Sequence, residues 1–178
     1  LTSKVDQKLA VFVEDVFAKE WIQYILRQAI PDRLSEIGVY PVRGDGNAVS
    51  IHESHGKNPS ISFKSVCFID GDSRQQEDEA NGVYRLPGAQ DPEFVVFSAV
   101  LDNLSQNIAQ LTLGMHQPST KQASVEEVIR SVFRLNRDSH LLFTQVADKL
   151  DYLPEAVVRG AFLAVWMKEN PDETNRIS

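Results

Sequence analysis

The segment VCFIDGDS, residues 66–73, places two carboxylates directly after an uninterrupted apolar run. A strand without polar alternation is typical of a parallel sheet that is covered on both faces. A second apolar run, KLAVFVED at residues 8–15, has the same character and reaches Glu14 near its end. The two runs therefore predict buried parallel strands whose carboxyl ends carry acids.

Helical and extended patterns alternate along the first half of the chain. Apolar residues at helical spacing predict a helix over residues 16–30, which Pro31 closes. The glycine turn RGDGN, residues 43–47, is expected to open a short second helix. The β-α-β-α-β order predicts an α/β fold with a small, mostly parallel, Rossmann-like sheet flanked by helices. Besides the run at residues 8–15, the predicted strands are 37–42, 64–70 and, more weakly, 83–88.

From residue 91 onward the pattern is helical. Asp91 and Pro92 suit the N-cap and the first position of a helix, and Ser124 with Glu127 forms a capping-box pair. We expect a C-terminal helical region without strands. The predicted helices span residues 91–104, 124–135, 138–150 and 154–170.

The loop HQPSTKQ, residues 116–122, separates the two patterns. We predict an α/β catalytic domain over residues 1–115 and a helical C-terminal subdomain over residues 116–178. Because the chain begins with Leu1 rather than Met, we expect a fragment of a longer protein.

The single cysteine, Cys67, excludes a disulfide framework and a cysteine-rich zinc site, and it fits a reducing compartment. The sequence has no run of about 18 apolar residues and no secretory signal pattern. A cytoplasmic protein that does not enter a membrane is expected.

The net charge of −7 is unusual for a protein that binds nucleic acid. Residues 70–93 hold seven acids and two bases, so this segment supplies −5 of that charge. A divalent metal could neutralise such a local acidic region, so global charge does not exclude a nucleic-acid substrate.

Carboxylates follow two predicted strands of this sheet. Glu14 ends one strand, and Asp70 and Asp72 follow another with only Gly71 between them. Ligands of open α/β sheets bind beyond the carboxyl ends of the strands, so these acids should face one crevice. Mg²⁺ is typically held by one or two carboxylates with waters and substrate phosphates. The acids therefore predict a Mg²⁺ or Mn²⁺ site, to which Glu93 could add a fourth carboxylate.

These motifs resemble the Toprim catalytic module over residues 8–95. VFVEDVFAKEW, residues 11–21, is similar to the Toprim glutamate motif, VCFIDGDS to its Asp-x-Asp motif, and RGDGN to the glycine turn between them. RLPGAQDPE, residues 85–93, and the helical tail most resemble the overcoming-lysogenization-defect (OLD) family of ATP-dependent endonucleases. In that family the Toprim module follows an ATPase domain.

The resemblance implies roles for five residues. Glu14 would be a metal ligand or general acid/base, Asp70 and Asp72 would bind metal, and Glu93 would complete the metal site. OLD-type nucleases also use a basic residue from the helical region to stabilise transition-state charge. His140 is favoured here for that catalytic role. The other candidates are Lys121, Arg137 and Lys149.

Two positions depart from the OLD pattern. Ala18 stands where such nucleases often carry a second acid, and Asp15 stands where they usually carry glycine. The departures leave open whether the site would bind one metal or two.

The resemblance implies a divalent-metal-dependent DNA endonuclease or nickase that hydrolyses phosphodiesters. The implied partners are DNA and an ATPase domain of the same or an associated chain, in a homodimer or higher oligomer. Anti-phage defence would suit such a protein by analogy. RGDGN lacks the ending of a phosphate loop, so this piece is expected to bind no ATP itself.

Two other functions stay open. A degenerate Toprim module could dock a partner without catalysis. A phosphatase of the haloacid-dehalogenase class also uses an Asp-x-Asp after a strand, but there the pair follows the first strand and a threonine comes after the glycine.

Each candidate residue also has a purely structural interpretation. Asp70-Gly71-Asp72 could be an ordinary turn, Glu14 a helix N-cap, and Glu93 an acid that favours the helix dipole. His140 could be an exposed helix residue. His52 and His55 in IHESH resemble a metal pair, but a zinc site needs further ligands.

Overall fold

The structure is a computed structural model that describes residues 7–178, so Leu1 lies outside the described residues. Its strands are β1 (Leu9–Val13), β2 (Ile37–Pro41), β3 (Lys64–Ile69) and β4 (Val83–Arg85). Within the described residues they form one sheet in the order β2-β1-β3-β4, and every neighbouring pair is parallel. The predicted α/β class, with a small Rossmann-like sheet flanked by helices, is confirmed.

As the sequence predicted, β1 and β2 are each followed by an α-helix and the chain after β4 is helical, whereas β3 connects to β4 through a loop with one 3₁₀ turn, Glu79–Asn81. The helices are α1 (Val16–Ala29), α2 (Asp45–Gly56), α3 (Pro92–Asp102), α4 (Leu104–Gly114), α5 (Gln122–Leu135), α6 (Leu142–Lys149), α7 (Glu155–Glu169) and α8 (Pro171–Ile177).

The two central strands of the sheet are β1 and β3, and the helical connections on either side of them run in opposite directions across the sheet. After β1 the chain passes through α1 to β2, and after β2 it returns through α2 to β3, on the other side of β1. Because such crossovers are right-handed, α1 and α2 lie on opposite faces of the sheet. The carboxyl ends of β1 and β3 therefore flank the topological switch point, where ligands of open α/β sheets bind.

The glycine turn after β2 takes the conformation that its residues permit. Arg43 and Gly44 have φ of 57° and 111°, and α2 begins at the next residue. Glycine carries no Cβ, so it adopts a positive φ at no steric cost. The turn thereby starts α2 directly beyond the sheet edge, as the sequence predicted.

The chain divides into two compact units. The first comprises residues 7–92 together with Asn175–Ser178, and the second comprises Glu93–Thr174. The boundary predicted between residues 115 and 116 falls inside the second unit, which already contains α4 and most of α3.

The second unit is built on an aromatic core. The rings of Phe97 and Phe162 stack with centroids 4.8 Å apart, and Phe143 lies 5.3 Å from Phe162. All three side chains are buried. Aromatic pairs at these distances stabilise a core beyond the area that they bury.

The predicted capping box of α5 is wrong. The helix begins at Gln122, and its N-cap, Lys121, makes no side-chain capping bond. A 3₁₀ turn over Ser119–Lys121 leads directly into the helix. The helix α5 therefore starts earlier in the chain than predicted. Ser124 lies inside its first turn, where it cannot act as the N-cap.

Among the described residues, no helix has both the length and the apolar character needed to cross a membrane.

Candidate carboxylate site

Glu14 and Asp70 follow neighbouring strands of the first unit. In the parallel ladder Val13 pairs with Phe68, so Glu14 leaves β1 one residue before Asp70 leaves β3. This small stagger places both acids beyond the carboxyl ends at the switch point of the sheet. The prediction that the two strand ends meet is thus borne out by the register, and the roles of the acids remain predictions.

Asp70 is a buried acid in a region of like charge. Its residue is 5% exposed. Burial raises the pKa of Asp70 to about 9, with further contributions from the charges of Glu14, Asp15 and Asp72. Its Oδ1 is buried and has no hydrogen-bond partner among the described residues. A buried carboxyl oxygen without a partner is costly, and in native proteins such a group calls for an explanation.

Asp70 and Glu14 share a hydrogen bond that also raises the pKa of Asp70. Two carboxyl groups can hydrogen-bond to each other only when one of them carries a proton. Burial and the neighbouring charge of Glu14 therefore favour the protonated form of Asp70. This is the usual result when two acids are forced into one poorly solvated place.

The burial of Asp70 also affects its neighbour in β3. The thiol of Cys67 is buried, and burial together with the charge of Asp70 raises the pKa of Cys67 to about 12. A thiol with so high a pKa stays protonated and is a poor nucleophile. Cys67 therefore acts as a small core residue beside the acids.

Asp72 lies at the exposed side of the same turn, and Gly71 lets the turn form. A Cβ added at Gly71 would lie 2.7 Å from the backbone oxygens of Gly88 and Gln90. The two segments thus approach so closely that only glycine fits. Glu14, Asp70 and Asp72 do not bring one carboxylate oxygen each within 4.8 Å of one another, as judged over the described residues.

Sequence reasoning missed the role of Arg85. Its guanidinium donates hydrogen bonds to backbone oxygens of the turn, including those of Asp70 at 2.9 Å and Gly71 at 3.0 Å. The sequence analysis counted Arg85 only as one of the two bases in residues 70–93 and assigned it no partner. Asp70 and Asp72 form no ion pair with any described lysine or arginine.

Asp15, rather than Glu14, is the N-cap of α1. Its side chain accepts a hydrogen bond from the backbone N–H of Ala18 at 2.8 Å. The N-cap interpretation of Glu14 is therefore wrong, and Glu14 remains available for the strand-end pair. Ala18 is fully buried and its side chain is apolar, so residue 18 contributes no ligand.

In the second unit, the structure brings together two of the predicted residues. The Nδ1 atom of His140 lies 3.1 Å from Oε1 of Glu93. The carboxylate of Glu93 is buried, whereas His140 is exposed. A carboxylate that accepts the Nδ1–H fixes the tautomer and the orientation of the ring. His140 is therefore held in place, unlike an ordinary exposed histidine.

The other basic candidates have different surroundings. Lys121 forms an ion pair of 3.1 Å with Asp151, and Arg137 donates to the backbone oxygen of Asn136. Lys149 is exposed at the end of α6. Of the four, His140 is the one whose described contact is a buried acid.

His52 and His55 do not form a metal pair. Nε2 of His52 lies 2.7 Å from the backbone oxygen of Asn81, and Nδ1 lies 2.8 Å from the hydroxyl of Ser65. The ring of His55 packs against that of Phe63, with centroids 5.0 Å apart. Both histidines therefore have structural roles in the first unit.

A separate cavity of about 770 Å³ lies between α2 and the segment 74–81. Its lining includes Lys57 and Arg74 as well as the acids Glu77 and Asp78. None of Glu14, Asp70 and Asp72 lines it. The cavity and the carboxylate site are thus distinct features of the first unit.

Replacing Gly71 should disturb the turn that carries the acids. Because a Cβ would collide with backbone oxygens, we expect Gly71→Ala to lower the free energy of unfolding by about 1–3 kcal/mol. Gly56→Ala is the matched control, since a Cβ there meets nothing within 4 Å, and it should change stability by less than about 0.5 kcal/mol. Equal effects in urea denaturation would contradict the close approach at Gly71.

Asp70 should make the metal-free protein less stable as the pH rises. Unfolded aspartate has a pKa of about 3.9, so between about pH 4 and pH 9 the folded state retains a proton that the unfolded state has lost. Stability contributed by that proton is fully present below pH 4 and is lost toward pH 9. Asp70→Asn cannot ionise and escapes this loss. At pH 8 its melting temperature should exceed that of wild type by roughly 4–8 °C, the shift that about 2 kcal/mol gives a chain of this size.

The measurement is a thermal melting series from pH 4 to pH 9 with a chelator present. Glu79→Gln is the control, because it removes an exposed acid from the same segment. Its melting temperature should change with pH in parallel with that of wild type. Parallel curves for wild type and Asp70→Asn would contradict the raised pKa of Asp70.

No protein-family model, curated protein or solved structure matches this chain.

Proposed function

We propose that this chain is a divalent-metal-dependent DNA nuclease of the Toprim type, which hydrolyses phosphodiesters. The observation that carries the proposal is the pairing of half-buried Glu14 with buried Asp70 at the switch point of a parallel sheet. Two acids that share a proton when no cation is bound form a site at which a cation could replace that proton. The order of the sequence motifs is the second support.

The donors available suit Mg²⁺ or Mn²⁺. Both are hard cations that prefer carboxylate oxygens, and Oδ1 of Asp70 is a buried oxygen without a described hydrogen-bond partner. Mg²⁺ completes its coordination with waters and substrate phosphates, so it needs few protein ligands. Glu14 and Asp70 would hold the ion directly, and Asp72, which does not converge with them to within 4.8 Å, would act through a bound water.

A bound Mg²⁺ or Mn²⁺ supplies Lewis-acid activation of the scissile phosphate. The protein residues supply the remainder of the proposed mechanism. Asp70 would have to be deprotonated to act as a ligand, and the carboxylates of Asp70 and Glu14 would balance the charge of the ion. Gly71 keeps Asp70 and Asp72 on one tight turn, so the two acids serve the same site.

Glu93 and His140 have assisting roles in the proposal. The carboxylate of Glu93 fixes the Nδ1–H tautomer of His140, which puts the basic lone pair on Nε2. A histidine in this state can accept a proton at Nε2 and, when protonated, stabilise the charge of a phosphorane-like transition state. These two roles rest on the Toprim resemblance and on the hydrogen bond that joins the two residues.

The remaining parts of the proposal follow from the OLD resemblance. DNA would be the substrate. The metal would offset the negative charge of residues 70–93, the acidic segment that the DNA would approach. An ATPase domain, in the same or an associated chain, would regulate the nuclease in a dimer or higher oligomer. The reaction would take place in the cytoplasm, in keeping with the single buried thiol, and anti-phage defence would be its use.

The test is nicking of supercoiled plasmid with Mg²⁺ and then Mn²⁺. Wild type should convert supercoiled to relaxed plasmid in a metal-dependent reaction. Asp70→Asn and Glu14→Gln should each lower the rate at least about 100-fold, since they remove ligands of the proposed ion. His140→Gln should cost about 10²–10⁴-fold, the usual effect of losing a group that transfers a proton.

Glu79→Gln is the control, because it removes one exposed carboxylate from the same acidic segment. It should cut plasmid at the rate of wild type. Melting with and without Mn²⁺ is read in parallel, since an ion that binds only the folded state raises the melting temperature. No nicking together with no melting shift would reject the nuclease and favour a docking module. Hydrolysis of a phosphomonoester without nicking would instead favour the phosphatase.

A further inference from the structure

Arg85 binds the acidic turn through its backbone rather than through its acids. Its Nη1 atom donates to the backbone oxygens of Asp70 at 2.9 Å, Gly71 at 3.0 Å and Ser73 at 3.2 Å. Its Nη2 atom donates to the backbone oxygen of Gln75. One guanidinium thus donates hydrogen bonds to four backbone carbonyl groups within residues 70–75. These bonds stabilise the backbone conformation of the turn.

Arg85 is itself held on two sides. Its backbone N–H donates to Oε1 of Glu77 at 2.9 Å, and its backbone oxygen accepts a hydrogen bond from Nη2 of Arg176 at 2.9 Å. It also pairs with Ile69 in the ladder between β3 and β4. Because Ile69 directly precedes Asp70, the arginine is anchored beside the turn that it binds.

The chemistry of the side chain explains why an arginine stands here. A guanidinium is planar, always charged and carries five N–H donors in a fixed fork, whereas a lysine ammonium is a single point of charge. A fork can reach carbonyl groups that lie side by side along a turn. Hydrogen bonds from a charged donor are also roughly twice as strong as neutral ones.

The contacts have an electrostatic consequence for the acids. The charge of Arg85 is directed at carbonyl dipoles, and in the described part of the chain neither Asp70 nor Asp72 forms an ion pair with a lysine or arginine. The hydrogen bonds of Arg85 thereby fix the turn without occupying the carboxylates of Asp70 and Asp72, which could then bind a different cation. An arginine that paired with the acids directly would have competed with that cation.

We propose that Arg85 is a positioning residue that holds the turn of residues 70–75 in the shape in which its carboxylates bind a divalent cation. The inference rests on the proposed function, since it assigns to Arg85 the arrangement of the same site. It adds a residue outside the acid motifs. It also gives a role to Arg176, which supports Arg85 from the C-terminal end of the chain.

The experiment compares wild type with Arg85→Lys, Arg85→Gln and Arg176→Gln. Lys64→Gln is the charge-matched control, because Lys64 is exposed and lies at the opposite end of β3 from Asp70. Mn²⁺ affinity is measured by calorimetry, and backbone hydrogen exchange is measured across residues 70–76 and across α2. Plasmid nicking gives kcat and KM.

We expect Arg85→Lys to weaken Mn²⁺ binding about 10–100-fold, as loss of a group that orients metal ligands usually does. Exchange should accelerate in residues 70–76 and stay unchanged in α2. The kcat of nicking should fall while the KM for DNA stays within about twofold, because the arginine does not touch the substrate. Arg176→Gln should give a smaller loss of the same kind, and it serves as the readout if Arg85→Gln does not fold. Lys64→Gln should leave Mn²⁺ affinity unchanged.

Two results would overturn the inference, and they differ from each other. If wild type binds Mn²⁺ and the Arg85 and Arg176 variants bind it equally well, Arg85 has only a structural role and the proposed function stands. If wild type binds no Mn²⁺, the proposed function and the role of Arg85 both fail.

Discussion

The structure of the candidate site depends on one electrostatic constraint, which is the confinement of acids at the ends of two central parallel strands. Neighbouring strands that run in the same direction end at the same edge, so Glu14 and Asp70 are brought together by the ladder itself. Burial then removes the water that would separate their charges, and the pKa of Asp70 rises. The fold thereby creates a place where a proton or a cation must compensate negative charge.

Two further features let the chain sustain this arrangement. Gly71 allows the turn to pass against the backbone of Gly88 and Gln90. Arg85 gathers the carbonyl groups of the same turn without pairing with Asp70 or Asp72. The acids therefore stay close together because of the backbone around them. No described lysine or arginine forms an ion pair with Asp70 or Asp72, so no basic side chain neutralises their negative charge.

The parts that were predictable from the sequence follow from strand physics. Apolar runs without alternation indicate parallel strands, and the acids at their ends must then share an edge, which the register of β1 and β3 bears out. The role of Arg85 was not predictable, because its partners are backbone oxygens that no side-chain pattern reveals. The sequence also left open that Glu14 is the N-cap of α1, and that interpretation is wrong, because Asp15 accepts the hydrogen bond from the N–H of Ala18. The choice depended on backbone angles at the strand end.

The proposed metal site depends on the proton that Asp70 and Glu14 share. The most direct measurement is calorimetric titration of Mn²⁺ at pH 7.5 in two buffers of different ionisation enthalpy, which counts the protons released on binding. Since carboxylate ligands must be deprotonated, wild type should release about one proton for each ion bound, and Asp70→Asn should release almost none. Binding without proton release, or no binding at all, would contradict the claim that this pair is prepared for a metal ion.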